Sequence, residues 1–379
     1  MSFFSLMQDL EAKKYWIALN MVPGVGPITY RKLLNAFGTP EQVLAASAHQ
    51  LHTIPGISGK VVQHLLNFGF PDRVKRELEA IEQQRISLLT WDDQAYPESL
   101  KTIFDPPPVL YLKGNQFQPH EVLVAVVGSR RASTYGKMTA EKLCAELALK
   151  GVGVVSGMAR GIDSAAHKGT LKAGGRTIAV MGCGVDVVYP PENTRLYAEI
   201  IEKGAIISEF PLHTKPDRGN FPARNRIISG ISLGTVVVEA GLQSGALITA
   251  DMALEQGRDV FAVPGNINSA SSRGTNRLLK QGAGLVEHAD DILHALSREI
   301  SHRLSTLQPE LPFGQKQSAI PSLTEDEQRV YALISSEPLH IDDITVRSQL
   351  PSGTVSAILM MLEMKSVIRQ LAGKMFVRM

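Results

Sequence analysis

The sequence predicts an α/β protein built around an extended Rossmann-like, doubly wound and mostly parallel β-sheet. Between residues 86 and 298, short apolar segments alternate with helix-length segments, which is the pattern of successive βαβ units. Before this region, a duplicated glycine-containing phrase predicts a helical domain at residues 1–85. After it, a linker at 299–321 leads to a winged-helix pattern at 322–379.

The N-terminal region contains one phrase twice. Val22–Gly38 and Ile54–Gly69 each hold a Pro-Gly pair, a small hydrophobic residue, a further glycine and an amphipathic helix. Glycine permits the positive φ of a tight hairpin, and the helix start that follows presents backbone N–H groups. The phrase resembles the helix-hairpin-helix (SAM-like) motif, which holds DNA phosphates without reading bases. The alternative is a pair of hairpins that only pack on each other.

Nine segments between residues 87 and 286 are candidate strands. They are short and mostly apolar, and most of those after Val127 are separated by lengths that fit helices. The candidates are Ser87–Trp91, Val109–Leu112, Val122–Val127, Val152–Ser156, Thr177–Met181, Ala205–Ser208, Thr235–Glu239, Asp259–Val263 and Gly284–Val286. Nine strands are more than the minimal dinucleotide-binding half of a Rossmann fold contains, so we expect an extended sheet.

The central segment of this region is Val122–Val127. It stops abruptly at Gly128-Ser129-Arg130-Arg131, and a helical pattern follows from Thr139 to Lys150. In an open α/β sheet, such a turn lies in the crevice above the strand ends, where the helix N-terminus favours an anion. The two arginines add full positive charge. The alternative is a solvated turn that carries two arginines without a function.

Four glycine-rich or basic stretches are expected to meet above the carboxyl ends of the strands. They are residues 128–131, 156–169, 220–230 and 236–250. They bring basic and hydrogen-bonding side chains together: Arg130, Arg131, Arg160, Lys168, Arg224, Arg226, Ser129, Ser156, Asn225 and Ser244. The sequence therefore predicts a convergent anion-binding site.

The motifs of several common enzymes are missing from the sequence. There is no GxxxxGK[ST] loop, no complete GxGxxG fingerprint and no GxSxG elbow at the end of a strand. Asp163 and His167, at positions i and i+4, are either an acid/base pair or a helix cap and a partner that holds the loop. Glu239, at the end of a buried strand, is a second candidate acid. We expect no cofactor and no metal.

Composition restricts the class of protein further. The chain has 379 residues with a net charge of +2, so any nucleic-acid site must be a local patch. Its two cysteines, Cys144 and Cys183, have no metal-ligand or disulfide spacing. The sequence has neither a signal-peptide pattern nor about 18 uninterrupted apolar residues. These features predict a cytoplasmic protein without a membrane span.

The last region has the element order of a winged helix. Thr324 and Glu327 form a capping box, and a two-stranded ribbon is expected to turn at Ala372-Gly373-Lys374. The expected recognition helix, Ser352 to Met364, contains Glu363 but no arginine or lysine. Readers of DNA usually present basic groups to phosphates. The lack of basic residues in this helix therefore favours a role of the module in protein interaction or dimerisation over a role in reading DNA sequence.

Five motifs in order resemble the DprA (Smf) family of DNA-processing proteins. They are VGSRRAS, SGMARGIDSAAHKGTL, FPARNRIISG, VVEAGLQSGALITA and AVPGNINSASSRGTNRLLKQGA, within residues 86–290. The resemblance implies a non-enzymatic protein that binds and protects single-stranded DNA. It also implies help in loading the recombinase RecA during natural transformation. Because a site with few contacts is weak alone, we expect a homodimer or longer arrays on the strand.

The resemblance also implies roles for individual residues. Arg130, in the turn that begins at Gly128 and Ser129, would be the principal DNA-binding arginine. Phe221 would stack a base while basic side chains hold phosphates. Binding a flexible strand requires aromatic faces, and by that argument Tyr135 is a second candidate for stacking. Further implied DNA contacts are Arg224, Asn225 and Arg226, and the loop that closes the pocket is Ser156, Gly157 and Met158. A lysine that family members can have before the RNR triplet is replaced here by Ala223.

Two other functions stay open at this point. The first is a nucleotide N-glycosidase-like enzyme on the same Rossmann fold, for which Glu239 is present but the PGGxGT loop is not. The second is a winged-helix regulator that binds duplex DNA. The weak charge of residues 352–364 argues against the regulator.

Overall fold

The computed structural model describes residues 3–68, 70–300, 324–335, 338–365, 367–371 and 373–378. The chain divides into two compact units, residues 1–307 and 308–379. The predicted linker at 299–321 lies almost entirely outside the described residues. The predicted domain boundaries at 85/86, 298/299 and 321/322 stay predictions.

All nine predicted strands form one sheet in the first unit. Their order is β1-β2-β6-β5-β4-β3-β7-β8-β9; β2 runs antiparallel to both β1 and β6, and the other neighbours are parallel. The strands are β1 (Ser87–Thr90), β2 (Val109–Gly114), β3 (Leu123–Val127), β4 (Gly153–Ser156), β5 (Thr177–Val180), β6 (Ala205–Ser208), β7 (Gly234–Val237), β8 (Asp259–Ala262) and β9 (Gly284–Leu285). The predicted mostly parallel, doubly wound sheet is confirmed.

Strand β3 is buried on both faces, as its apolar run predicts. Val124 and Val126 face one hydrophobic core, while Ala125 and Val127 face another, because side chains alternate along a strand. Helices cover both faces: α7 (Glu98–Lys101), α8 (Thr134–Leu149), α9 (Ile162–Lys172), α10 (Thr194–Lys203), α11 (Asn220–Gly230), α12 (Gly245–Glu255), α13 (Arg273–Lys280) and α14 (Ala289–Ala295). The first core takes residues from α8, α9 and α14, and the second from α11, α12 and α13.

The direction of winding reverses beside β3. The chain proceeds from β3 through β4 and β5 to β6 on one side, then returns to place β7, β8 and β9 on the other. Loops that leave β3 and β7 therefore diverge and open a crevice at the carboxyl ends of these strands. This crevice is where the four sequence stretches were expected to meet.

Among the described residues, six helices precede the sheet: α1 (Phe3–Asn20), α2 (Pro27–Phe37), α3 (Pro40–Leu44), α4 (Ala48–His52), α5 (Gly59–Leu66) and α6 (Phe70–Gln83). Gly24 and Gly56 adopt positive φ values of 85° and 77°, so the two hairpins share one turn geometry. Lys32 Nζ donates to the carbonyl of Pro55 (3.4 Å), and His64 Nδ1 lies 2.8 Å from the carbonyl of Pro23. Each repeat thus contacts the hairpin of the other.

The helical region and the sheet share a hydrophobic core. Trp16 stacks on Tyr30 at 5.5 Å between ring centroids, and both rings pack edge-on against Trp91, just after β1. Lys13 crosses the same boundary, donating to the carbonyl of Leu88 at 2.9 Å. The first compact unit therefore contains both regions.

The second unit has the predicted winged-helix elements. They are α15 (Glu325–Leu333), β10 (Leu339–His340), α16 (Ile341–Ser348), α17 (Ser352–Met364), β11 (Ile368–Leu371) and β12 (Met375–Arg378). Thr324 and Glu327 form the capping box, and β11 pairs with β12 as expected. The sequence did not indicate β10, because two residues are too short to show strand periodicity. Within the described residues, no helix has the length and apolar character needed to cross a membrane.

Candidate nucleic-acid interface

The turn that follows β3 forms one wall of the crevice. Ser129 N–H donates to the carbonyl of Glu239 at 2.7 Å, and its own carbonyl accepts from Ile162 N–H at 3.2 Å. The turn is thereby attached to the segment that follows β7 on one side and to the start of α9 on the other. Arg130 and Arg131 extend from it as exposed side chains.

A groove of about 780 Å³ runs along this turn, and we call it the basic groove. Arg130, Arg131, Arg218 and Arg224 line it, and the N-terminus of α12, capped by Ser244, opens into it. No described carboxylate lies within 4.0 Å of Arg130, Arg131 or Arg218. The groove therefore combines three exposed arginines that form no ion pair with a described carboxylate and a helix N-terminus, which favours anions.

Arg224 lies at the floor of the basic groove and is only 3% exposed. Nη1 donates to the carbonyl of Gly157 at 2.7 Å and to that of Val180, and Nε donates to Asn225 Oδ1 at 3.2 Å. A Cβ on residue 157 would lie 2.6 Å from the guanidinium, so glycine leaves the space for Arg224. Burial lowers the pKa of Arg224 to about 10, which leaves it charged at neutral pH.

A smaller cavity of about 50 Å³ adjoins the groove, and we call it the Phe221 pocket. The ring of Phe221 stacks with Tyr189 at 5.6 Å between centroids. The guanidinium carbons of Arg130 and Arg224 lie 5.1 and 6.0 Å from the Phe221 centroid. The aromatic ring thus holds Arg130 at the mouth of the groove by a cation–π contact.

Arg160, on the rim of the Phe221 pocket, is exposed and paired with a carboxylate. Its Nη2 donates to Glu192 Oε2 at 3.1 Å, and Nε contacts Oε1 of the same side chain. Exposed pairs of this kind contribute little to stability. A phosphate could therefore replace Glu192 at modest cost.

Asp163 and His167 do not form an acid/base pair. Asp163 lines the basic groove, and its Oδ2 accepts from Ala159 N–H at 3.3 Å, which holds the loop before α9. His167 is fully buried, with Nδ1 2.7 Å from Thr177 Oγ1. Burial lowers the pKa of His167 to about 3, so the ring is neutral at physiological pH. The loop-holding interpretation fits these contacts.

Comparison with known proteins connects this site to a family. A family model described as DNA recombination-mediator protein A matches residues 87–297, which is more than half of the chain. The chain belongs to this DprA family. Models for a SAM-like helix-hairpin-helix tandem and a DprA winged-helix domain match residues 17–68 and 314–374. The predicted family and fold class are confirmed.

DprA and Smf relatives align over long stretches. Protein Smf of Synechocystis is 34% identical over 390 residues, covering 96% of this chain and 98% of that protein. DNA processing protein DprA of Streptococcus pneumoniae is 46% identical over 201 residues, covering 53% and 71%.

Two solved DprA structures are similar to this chain. The X-ray structure of the S. pneumoniae protein matches with a TM-score of 0.66 at 36% identity, covering 74% of this chain and 97% of that one. The Helicobacter pylori structure matches with a TM-score of 0.51 at 31% identity, covering 57% and 97%. The latter was described for the single-stranded DNA binding mode of that protein.

The structure brings most of the predicted site residues of this DprA-family chain together. The basic groove is lined by Gly128, Ser129, Arg130, Arg131, Phe221, Arg224, Asn225 and Ser244, and the Phe221 pocket adds Gly157 and Arg160. Sequence reasoning missed Arg218 and Tyr189. The sequence signal that could have found Arg218 is the helix start close to it. Tyr189 lies in a loop 32 residues before Phe221, and the fold brings it to the Phe221 pocket.

Five predicted residues lie outside this surface. Ser156 is fully buried and donates to the carbonyl of Val126 at 2.6 Å, and Met158 is also fully buried. Lys168 is exposed on α9 but lines neither cavity. Arg226 is turned into the protein, so its predicted position in the groove is wrong. Tyr135 is exposed beside a neighbouring cleft instead of the Phe221 pocket.

Two carboxylates hold Arg226 away from the groove. Its Nε donates to Asp105 Oδ2 at 2.9 Å and its Nη2 to Glu209 Oε2 at 2.7 Å, with only 8% of its side chain exposed. Burial lowers the pKa of Arg226, but Glu209 and Asp105 outweigh this effect and leave it raised. Arg226 therefore joins α11 to the loops after α7 and β6.

Replacing Arg226 by alanine is expected to destabilise the protein. Because Glu209 would be left buried and unpaired, the free energy of unfolding should fall by about 3 kcal/mol, measured by urea denaturation. The salt dependence of DNA binding should stay as in the parent. Unchanged stability together with a shallower salt dependence would show instead that Arg226 reaches the DNA.

Proposed function

We propose that this protein binds single-stranded DNA in the basic groove, protects it, and helps to load RecA onto it without catalysing a reaction. The observation that carries the proposal is the convergence of four arginines at the crevice between β3 and β7, three of them exposed and without a described carboxylate partner. The context we propose is DNA uptake by natural transformation and homologous recombination.

The chemistry of the groove suits a flexible nucleic-acid strand. Binding without base preference requires cations along the backbone and an aromatic face for bases. Arg130, Arg131 and Arg218 supply exposed cations, and Phe221 supplies the ring. In this conformation Arg130 lies over Phe221. We propose that a base replaces Arg130 on the ring as the guanidinium moves to a phosphate.

Membership of the DprA family supports the same function. The family is described as a recombination mediator, and the H. pylori relative was described for its single-stranded DNA binding mode. We extend this binding to the present chain because its groove combines exposed arginines with an aromatic ring. Transfer of the strand to RecA, and a homodimer that raises avidity on the strand, are further parts of the proposal.

A binding titration with salt as the variable tests the proposed function. Wild-type protein is titrated onto labelled oligo-dT and onto a duplex of the same length at several salt concentrations. We expect tighter binding to the single strand and a steep loss of affinity with salt, since each phosphate contact releases counterions. Equal or tighter binding to the duplex would favour the winged-helix regulator.

The enzyme alternative depends on Glu239 as an acid. Its carboxylate accepts hydrogen bonds from the N–H and hydroxyl of Ser133, and its side chain is buried. These contacts favour a role in holding the loop. Release of ribose phosphate from nucleoside monophosphates, lost in Glu239→Gln, would restore the enzyme alternative.

Single-stranded DNA binding should strengthen as the pH falls through about 6. Burial raises the pKa of Asp163 to about 6, against the opposing effects of Arg224 and Arg130. Above this pH the ionised carboxylate repels phosphates in the groove, and below it the group is neutral. Asp163→Asn should bind more tightly at neutral pH and lose the step near pH 6 in oligo-dT titrations. A step that persists in the variant would belong to another group.

A further inference from the structure

Glu239 contacts both ends of the turn that carries Arg130 and Arg131. Glu239 follows β7 and is 3% exposed. Its main-chain carbonyl accepts from Ser129 N–H at 2.7 Å. Its carboxylate accepts from Ser133 N–H at 3.0 Å and from the Ser133 hydroxyl. The two arginines therefore lie between two contacts with the same residue.

The loop also packs closely around the Glu239 side chain. A Cβ on residue 136 would lie 2.6 Å from Glu239 Oε2, so Gly136 allows the first turn of α8 to approach the carboxylate. The Ser133 hydroxyl accepts from Gly136 N–H at 3.0 Å as the N-cap of α8. The turn and the start of α8 are thus joined through one carboxylate.

The carboxylate has no cationic partner among the described residues. No lysine, arginine or histidine nitrogen in that part of the chain lies within 4.0 Å of it. A buried carboxylate needs hydrogen bonds to offset the loss of water, and here the turn provides them. Glu239 and the turn should therefore keep one mutual geometry.

We propose that Glu239 is a positioning residue for single-stranded DNA binding, because it fixes the turn that presents Arg130 and Arg131 to the basic groove. The inference rests on the proposed function. Glu239 acts through the turn without touching DNA itself. Its contribution to binding should therefore shrink when one of the two arginines that it positions is removed.

A double-mutant cycle tests this dependence. Oligo-dT affinity is measured for wild type, Glu239→Ala, Arg130→Ala and the double variant at one salt concentration. Coupled neighbours commonly interact strongly enough that we expect Glu239→Ala to weaken binding roughly tenfold in the wild-type background. In the Arg130→Ala background the same change should weaken binding less, because only Arg131 is then left for Glu239 to position. Glu239→Gln should recover most of the affinity, because its amide oxygen still accepts from Ser133 N–H.

Glu121→Ala is the matched control. Glu121 is a half-buried carboxylate paired with Arg176 just before β3, at the opposite end of the strand from the turn. Glu121→Ala removes a carboxylate that does not line the basic groove, so oligo-dT affinity should stay unchanged. Thermal unfolding shows whether each variant is folded. Should Glu239→Ala not fold, Ser133→Ala removes the hydroxyl contact to the Glu239 carboxylate from the other side and replaces it in the cycle.

The outcomes separate this inference from the proposed function. Weakening by the same factor in both backgrounds, or no weakening by Glu239→Ala, would overturn the positioning role. If the wild type does not bind oligo-dT, the proposed function itself fails. If the wild type binds and Arg130→Ala weakens binding but the cycle is additive, only the positioning role fails.

Discussion

Replacing Arg130 by alanine is expected to weaken oligo-dT binding by about tenfold or more, since hydrogen bonds to charged groups contribute about 1.5–3 kcal/mol. The slope of log affinity against log salt should also become shallower by about 0.7, the value for one lost single-strand phosphate contact. Arg130 is exposed, lines the groove and lies over Phe221. Fluorescence anisotropy at several salt concentrations measures both quantities.

Lys168→Ala provides the matched control for Arg130. It removes the same unit of charge from an exposed position on α9 that lines neither the basic groove nor the Phe221 pocket. Both affinity and slope should stay close to wild type. If Lys168→Ala reproduces the effect of Arg130→Ala, net charge and not the groove controls binding. An unchanged slope in Arg130→Ala would remove Arg130 from the phosphate contacts.

Replacing Phe221 by alanine is the second change with a large expected effect. A stacked base contributes about 1–3 kcal/mol, so oligo-dT affinity should fall by roughly 5- to 150-fold. The salt slope should change little because no charge is lost. Phe221→Tyr keeps an aromatic face and should retain most of the affinity. The same anisotropy titrations, carried out side by side, measure both variants.

Phe104→Ala separates stacking from a general loss of aromatic surface. Phe104 is 77% exposed and does not line the groove, so its removal should leave binding unchanged. A shallower slope in Phe221→Ala would show that the ring acts mainly by holding Arg130, which lies 5.1 Å from its centroid. Unchanged affinity in Phe221→Ala would contradict the stacking role.

Local patterns were enough to predict the elements. Apolar runs bounded by turns identified every strand of the large sheet, because such runs are buried on both faces of parallel sheets. The Pro-Gly phrases identified both hairpins, since their glycines need a positive φ. The capping box at Thr324 identified the start of α15. By contrast, β10 has two residues and carries no periodic signal.

Arg224 and Arg226 show where local patterns were insufficient. Both were expected in the groove, but residues two apart on a helix differ by about 200° around its axis, so they face opposite sides. Helix α11 places Arg224 at the groove floor, while Arg226 meets Asp105 and Glu209, which are distant in sequence. Only packing against these loops decides which of the two arginines lines the groove and which is paired inside the protein.

The sequence by itself determined that strand ends, glycine turns and basic residues would converge. These features are local, and the carboxyl ends of parallel strands lie at the same edge of the sheet. The tertiary structure decided which residues form the surface. It buried Ser156 and Met158, added Arg218 and Tyr189, and attached the arginine turn to Glu239. These outcomes depend on contacts between segments that are far apart in the chain, and the periodicity of a single segment does not encode them.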